Sequence, residues 1–276
     1  MTLVRALFSL IVWLICFAWM FFICVCCMPV ALLVPFHHWQ NGFPAATLGM
    51  VPRITCSRLK VTIDPRFDRN RVSVFVQNHV SMIDGLVTLA SVPQAFCGVE
   101  NEAHFAIPFY GWMMKLGGGI PVPKRPGGRL NGIIEHARER VTARNLSVLV
   151  LPEGGRTMDG NLKPFHRGGF FLARNLGLPI VPVAVRGLDR VLPKGTWFVH
   201  PGEIHVYIGP QIETAQLNDA EIAELTGETR RRLAAWVERA EMLPDGDAPT
   251  LGSLRSTRRD EKLAPNPALA IDVVRA

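Results

Sequence analysis

A run without a single charged side chain, from residue 6 to residue 35, constrains this chain more than any other feature. Its thirty residues, ALFSLIVWLICFAWMFFICVCCMPVALLVP, exceed the roughly 20 that span a hydrocarbon core. A cleaved secretory signal has a shorter apolar part, about 7–15 residues, and closes on small side chains. This run closes on Pro29, Pro35 and an aromatic stretch, so it reads as a retained membrane segment. Pro29 permits a break, which leaves a single membrane helix and a half-immersed helical hairpin both open. His37, His38 and Trp39 suit the lipid–water boundary, where an amphipathic ring sits between the two phases. One cation, Arg5, precedes the run, while Arg53, Arg58, Lys60 and Arg66 follow it. The excess of positive charge behind the segment places the body on the cytoplasmic face, at the inner membrane if the source is bacterial.

Composition narrows what the rest can be. Of 276 residues, 49% are hydrophobic and 19% charged, which excludes a disordered chain. Mean hydropathy is +0.20, in keeping with a membrane segment. The net charge of +7 suits either nucleic acid or an anionic membrane surface with anionic substrates, and the apolar excess favours the second. Six cysteines are too few for a disulfide scaffold, and no pair has zinc-site spacing with nearby histidines. Cys16, Cys24, Cys26 and Cys27 fall inside the apolar run and read as lipid-embedded thiols. Cys56 and Cys97 read as buried small hydrophobes.

Behind the segment, strand-like and helix-like stretches alternate. VSVFVQ (72–77), SVLVLP (147–152), PIVPVAV (179–185) and EIHVYIG (203–209) are short β-branched runs. Residues 129–144 repeat apolar positions at helical spacing through Ile133, Ile134, Ala137 and Val141. A second helix is expected over 167–177. A third opens at Asn218, with Glu221 completing a capping box, and reaches about Glu241. This alternation predicts an α/β fold, a mixed sheet flanked by helices. The expected organisation is an anchoring segment over 1–40, a body over 41–243 and a mobile tail over 244–276.

Four constellations carry chemistry. Asn78-His79-Val80-Ser81-Met82-Ile83-Asp84 follows the strand 72–77 directly. Residues five apart are about 500° apart on an ideal helix, so His79 and Asp84 share no helical face. They meet if His79 lies in the strand-to-helix turn and Asp84 in the first helical turn. The carboxylate then fixes the imidazole tautomer, as a general base acting on a substrate hydroxyl requires. Ser81 reads as a helix N-cap. Gly117-Gly118-Gly119-Ile120-Pro121-Val122-Pro123-Lys124-Arg125-Pro126-Gly127-Gly128 pairs glycines, whose amides can approach an anion, with two cations. It contains no nucleotide P-loop. Leu151-Pro152-Glu153-Gly154-Gly155-Arg156-Thr157 places a carboxylate and a guanidinium behind a strand, where α/β sheets hold ligands. Glu153 can accept from a hydroxyl or orient a partner, and Arg156 can fork onto a phosphate. Leu178-Pro179-Ile180-Val181-Pro182-Val183 fits either a buried strand or the wall of an acyl channel.

In this order, behind an apolar N-terminus, the four segments resemble the glycerolipid acyltransferase family. The likeness is nearest to the lysophosphatidate (1-acyl-glycerol-3-phosphate) acyltransferases. His79 to Asp84 matches the family's NHxxxxD box. Ile120 to Arg125 matches the box ending in Arg, Pro152 to Arg156 the PEGTR box, and Ile180 to Val183 the final Pro box. The likeness covers residues 50 to 215. It implies transfer of a fatty acyl group from acyl-CoA or acyl-carrier protein to a lysophospholipid hydroxyl, with no metal and no cofactor beyond the acyl donor. It implies His79 as base and Asp84 as its orienting acid. It assigns the acceptor to Asn78, Lys124, Arg125, Glu153, Gly154 and Arg156.

Three departures bear on the acceptor. Gly155 stands where the family has Thr or Ser, and Pro-Lys-Arg stands where Asp-Arg is usual. Many relatives carry lysines shortly before Ile107-Pro108-Phe109-Tyr110-Gly111, whereas this chain has Glu100-Asn101-Glu102 and His104. A lyso-aminolipid or another lysophospholipid is therefore an alternative acceptor. A membrane-anchored thioester hydrolase and a binding protein without turnover are the readings from other classes.

Overall fold

Strands buried on both faces need runs of apolar side chains, and this chain supplies three at its centre. The computed structural model describes residues 2–35, 38–39, 42–123, 130–158 and 160–239. Helix α1 (Thr2–Leu33) leads to two short helices, α2 (Phe43–Leu48) and α3 (Val51–Ile54). Strands β1 (Arg58–Ile63) and β2 (Val74–Gln77) follow, then α4 (Asp84–Ser91) and β3 (Phe96–Asn101). After a 3-10 turn over Glu102–Ala106 come α5 (Tyr110–Leu116), β4 (Ile120–Val122) and α6 (Leu130–Arg144). The chain continues through β5 (Ser147–Val150), α7 (Gly168–Leu176), β6 (Ile180–Arg186) and α8 (Leu188–Val191). It ends in β7 (Glu203–Ile208) and α9 (Asp219–Arg239).

Among the described residues, seven strands form one mixed sheet in the order β1-β7-β6-β2-β5-β3-β4. The five from β6 to β4 are parallel, β7 runs antiparallel to β6, and β1 is parallel to β7. Side chains alternate between two cores, as the period of two along a strand requires. Val74, Val76, Val148 and Val150 face α6, α7 and α9. Phe75, Leu149, Val181, Val183 and Val185 face α1, α3 and α4. Because the strands are parallel, the carboxyl ends of β6, β2, β5, β3 and β4 share one edge of the sheet. Ligands of open α/β sheets gather at that edge.

Several expectations need correction. Helix α1 runs through Pro29 without a break, so the hairpin opened by that proline does not form. Cys24 and Cys27 are buried, Cys27 in a cluster with Ile23 that Leu48, Met113 and Leu116 pack against, so neither is a lipid-embedded thiol. Cys56 is exposed, in a left-handed conformation with φ of 55°, instead of buried. Ile120–Val122 is the edge strand β4, with Pro121 exposed where a missing N–H breaks no ladder bond. Gly117 caps α5, and Gly119 is packed so closely that a Cβ would lie 2.9 Å from the Met114 carbonyl. These glycines therefore end a helix and let a strand approach it, while Gly127 and Gly128 of the same segment lie outside the described residues. Ile180–Val183 is the plain buried strand, fully enclosed at the sheet's centre, and lines no channel.

Candidate active site

The site begins where β2 stops. Asn78, the next residue, is fully buried, and its side chain extends the sheet ladder. Its Nδ2 donates to the Val185 carbonyl at 2.8 Å, and its Oδ1 accepts the Val185 N–H at 2.7 Å. Both ends of the amide are thereby committed to β6, which pins the carboxyl end of β2 and fixes where the next residue starts.

That residue is His79. Its Nδ1 lies 2.7 Å from Asp84 Oδ2, with the imidazole about one-fifth exposed and the carboxylate buried. The same Asp84 oxygen accepts the N–H groups of Val80 and Ser81 at 2.8 and 2.9 Å. The turn therefore wraps around the carboxylate of the first residue of α4, which is how a spacing of five brings the pair together. Ser81 does not cap the helix: Ile83 holds the cap position with no side-chain bond, and Ser81 Oγ donates to the Leu192 carbonyl at 3.3 Å. With Nδ1 facing a carboxylate, the ring's proton sits on Nδ1 and the lone pair on Nε2. Nε2 makes no hydrogen bond among the described residues and is the free basic atom of the site.

The backbone of His79 is held by the segment behind β5. Its N–H donates to Glu153 Oε1 at 2.7 Å, and its carbonyl accepts the Thr157 N–H at 3.1 Å. Glu153 is buried, and its second oxygen accepts the Lys163 N–H at 2.9 Å. Burial pushes the Glu153 carboxyl up, and the N–H groups of His79 and Lys163 work against that rise. Both oxygens being engaged, Glu153 braces two loops. Gly154 takes a left-handed conformation with φ of 63°, which lets the chain turn back towards His79. Arg156 is half-buried, and its guanidinium has no hydrogen-bond or ion-pair partner among the described residues. Lys124 and Arg125, which come after Pro123 in the sequence, lie outside the described residues.

Two further cations border the site that sequence reasoning missed. Lys163 Nζ donates to the carbonyls of Gly155 and Arg156 at 3.2 and 2.8 Å. Lys194 Nζ donates to the same Arg156 carbonyl at 2.9 Å. The two ammonium groups share that carbonyl as acceptor, which brings like charges close together. Each sits in a loop without periodicity, so no sequence signal marks it. Further along the edge, Glu100 is engaged by His104 Nδ1 at 2.7 Å and by the Tyr110 hydroxyl at 3.3 Å.

Chemically, the arrangement offers one oriented base with no nucleophile of its own. No serine, threonine or cysteine bonds to His79 Nε2 among the described residues. The proton that Nε2 can take therefore comes from a bound molecule, an acceptor hydroxyl or a water.

Known proteins resemble this chain in sequence and in fold. The acyltransferase family model matches residues 58–186. The chloroplastic 1-acyl-sn-glycerol-3-phosphate acyltransferase BAT2 of Brassica napus is 32% identical over 136 residues, 49% of this chain and 39% of that one. A 1-acyl-sn-glycerol-3-phosphate acyltransferase of Pseudomonas aeruginosa is 35% identical over 132 residues, 48% of this chain and 49% of that one. The chain thus spans half or less of the length of these relatives. The crystal structure of the 1-acyl-sn-glycerophosphate (LPA) acyltransferase PlsC from Thermotoga maritima superposes with a TM-score of 0.73. It is 20% identical and covers 88% of this chain and 99% of that one, which shows a common fold.

Proposed function

We propose that this chain is an acyltransferase, as the family model matching residues 58–186 supports, and that it acylates the sn-2 hydroxyl of lysophosphatidate, giving phosphatidate for phospholipid synthesis. The donor is an acyl thioester, acyl-CoA or acyl-carrier protein. The observation that carries the reading is the 2.7 Å contact between His79 Nδ1 and a buried Asp84, with Nε2 turned away from it. Nε2 takes the proton of the acceptor hydroxyl while the oxygen attacks the thioester carbonyl. Asp84 stabilises the imidazolium so formed. The C–S bond then breaks, and the departing thiolate recovers the proton from Nε2. No acyl-enzyme is formed.

The acceptor's headgroup faces Arg156, with Lys124 and Arg125 contributing from the segment after β4. The engagement of both Glu100 oxygens supports a phosphate over an amine in the acceptor. The acid that replaces a cation of the relatives is spent on His104 and Tyr110.

Membrane attachment falls to α1. Its buried stripe, from Ser9 to Cys27, is about 27 Å long, close to the thickness of a hydrocarbon core. A helix crossing upright would draw the packed body into lipid with it. The reading that fits is half-immersion on the cytoplasmic face, with Leu7, Leu10, Leu14, Phe21 and Val25 turned to lipid. His79→Ala tests the mechanism. It is expected to lower acyl transfer by about 10²–10⁴-fold while the protein still sediments with membranes. Transfer at the wild-type rate would overturn it.

A further inference from the structure

We infer that Lys163 and Lys194, together with Arg156, form the site for the acceptor's phosphate monoester, an inference that rests on the acylation reading above. Two ammonium groups, those of Lys163 and Lys194, donate to one carbonyl, that of Arg156. Among the described residues, no carboxylate lies within ion-pair distance of any of the three. A fold does not hold like charges together without return. The usual return is an anion, and a phosphate monoester brings between one and two negative charges and three acceptor oxygens. The two ammonium groups still have N–H donors beyond those given to Gly155 and Arg156. The Arg156 fork has all of its own.

The location fits an acceptor that lies in lipid. The next residue, Thr157, bonds the His79 carbonyl, so the loop that carries Arg156 is joined to the catalytic turn. Leu192, two residues before Lys194, accepts from Ser81 in the catalytic turn. Trp197, three residues after it, accepts from the α1 indole of Trp13 at 2.7 Å. Met82, Met158 and Trp197 are exposed apolar side chains around the cluster. The loop that holds Lys194 is thus tied to both the catalytic turn and α1, and exposed apolar side chains on these segments offer surface for an acyl tail. The cations also supply the positive charge that Glu100-Asn101-Glu102 withholds. A soluble donor's phosphates have no need of that apolar rim.

The test uses the full chain in detergent, with one acyl thioester donor and two acceptors, lysophosphatidate and the phosphate-free monoacylglycerol. Lys194→Gln is expected to raise the Michaelis constant for lysophosphatidate about tenfold and to leave that for the donor and for monoacylglycerol within twofold. Lys194→Arg, which keeps the charge, restores most of the loss. Lys163→Gln should act in the same direction. If it fails to fold, Lys194→Gln decides alone. A rise for the donor instead, an equal rise for both acceptors, or no rise overturns the inference. Equilibrium binding of lysophosphatidate to the same variants separates the two readings. Lysine-dependent binding without acyl transfer defeats the acylation reading and leaves the phosphate site standing. Binding indifferent to Lys194 defeats the phosphate site even if transfer proceeds.

Discussion

Asp84 Oδ2 accepts three donors at once: the His79 ring and the N–H groups of Val80 and Ser81. One atom therefore aims the base and closes the turn that carries it. Asp84→Asn presents an N–H₂ or a weaker acceptor to these donors. Turnover should fall by about 10²–10⁴-fold, with a smaller change in the Michaelis constants, in steady-state kinetics. Asp64 acts on stability instead. The Arg66 guanidinium, with help from its own N–H and the Tyr207 hydroxyl, holds the Asp64 carboxyl down at about 2. A depressed carboxyl stabilises the fold above its usual titration range. That contribution is lost as pH falls through about 4 to about 2. Asp64→Asn should lower stability near neutral pH by about 1–2 kcal/mol and flatten acid unfolding across that window in urea melts. The dyad was legible in the sequence because its two members are five residues apart and follow a strand. The task of Asn78 was not, because its partner Val185 is 107 positions away. The pairing of Glu153 with the His79 N–H spans 74 positions and was equally hidden.

Among elements, the central strands β2, β5 and β6 could be read from the sequence because burial on both faces demands unbroken apolar runs. The capping box at the start of α9 could be read as well. The Asn218 N–H bonds Glu221, and Asn218 Oδ1 accepts from Ala220 and Glu221. Strands β1, β3 and β4 could not. β1 is largely exposed and mixes charge with apolar residues, β3 contains Gly98, and β4 is three residues long with a central proline. The edge strands β1 and β4 need few apolar contacts, so little in their composition announces them. Gly169 shows how tightly these layers meet: a Cβ there would lie 2.8 Å from a Val150 methyl. Gly169→Ala is expected to push α7 off β5 and destabilise the protein by about 1–3 kcal/mol, measured by thermal unfolding. The tail over 244–276 and the last part of the helix expected to reach Glu241 lie outside the described residues.

At the scale of the whole molecule, the expected division at residue 40 is bridged by contacts. Val12 belongs to the same core cluster as Phe75, Val80 and Val183. Ser9 Oγ accepts the Val199 N–H at 2.9 Å, and the Trp19 indole donates to the Thr47 carbonyl at 2.8 Å. The opposite face of α1 keeps Leu10 and Leu14 exposed. Leu10→Glu with Leu14→Glu should move the protein from the membrane pellet towards the supernatant in vesicle sedimentation, with its thermal transition nearly unchanged. Substitution on the inner stripe, such as Val12→Glu, should instead unfold it. The apolar run was plain in the sequence, but its two-sidedness was not, since nearly every position is hydrophobic whichever way it points. Trimming α1 to obtain a water-soluble fragment would therefore uncover the side of the sheet that Val12 helps to roof. The fragment left behind is expected to precipitate, so this protein has to be handled with its apolar helix attached.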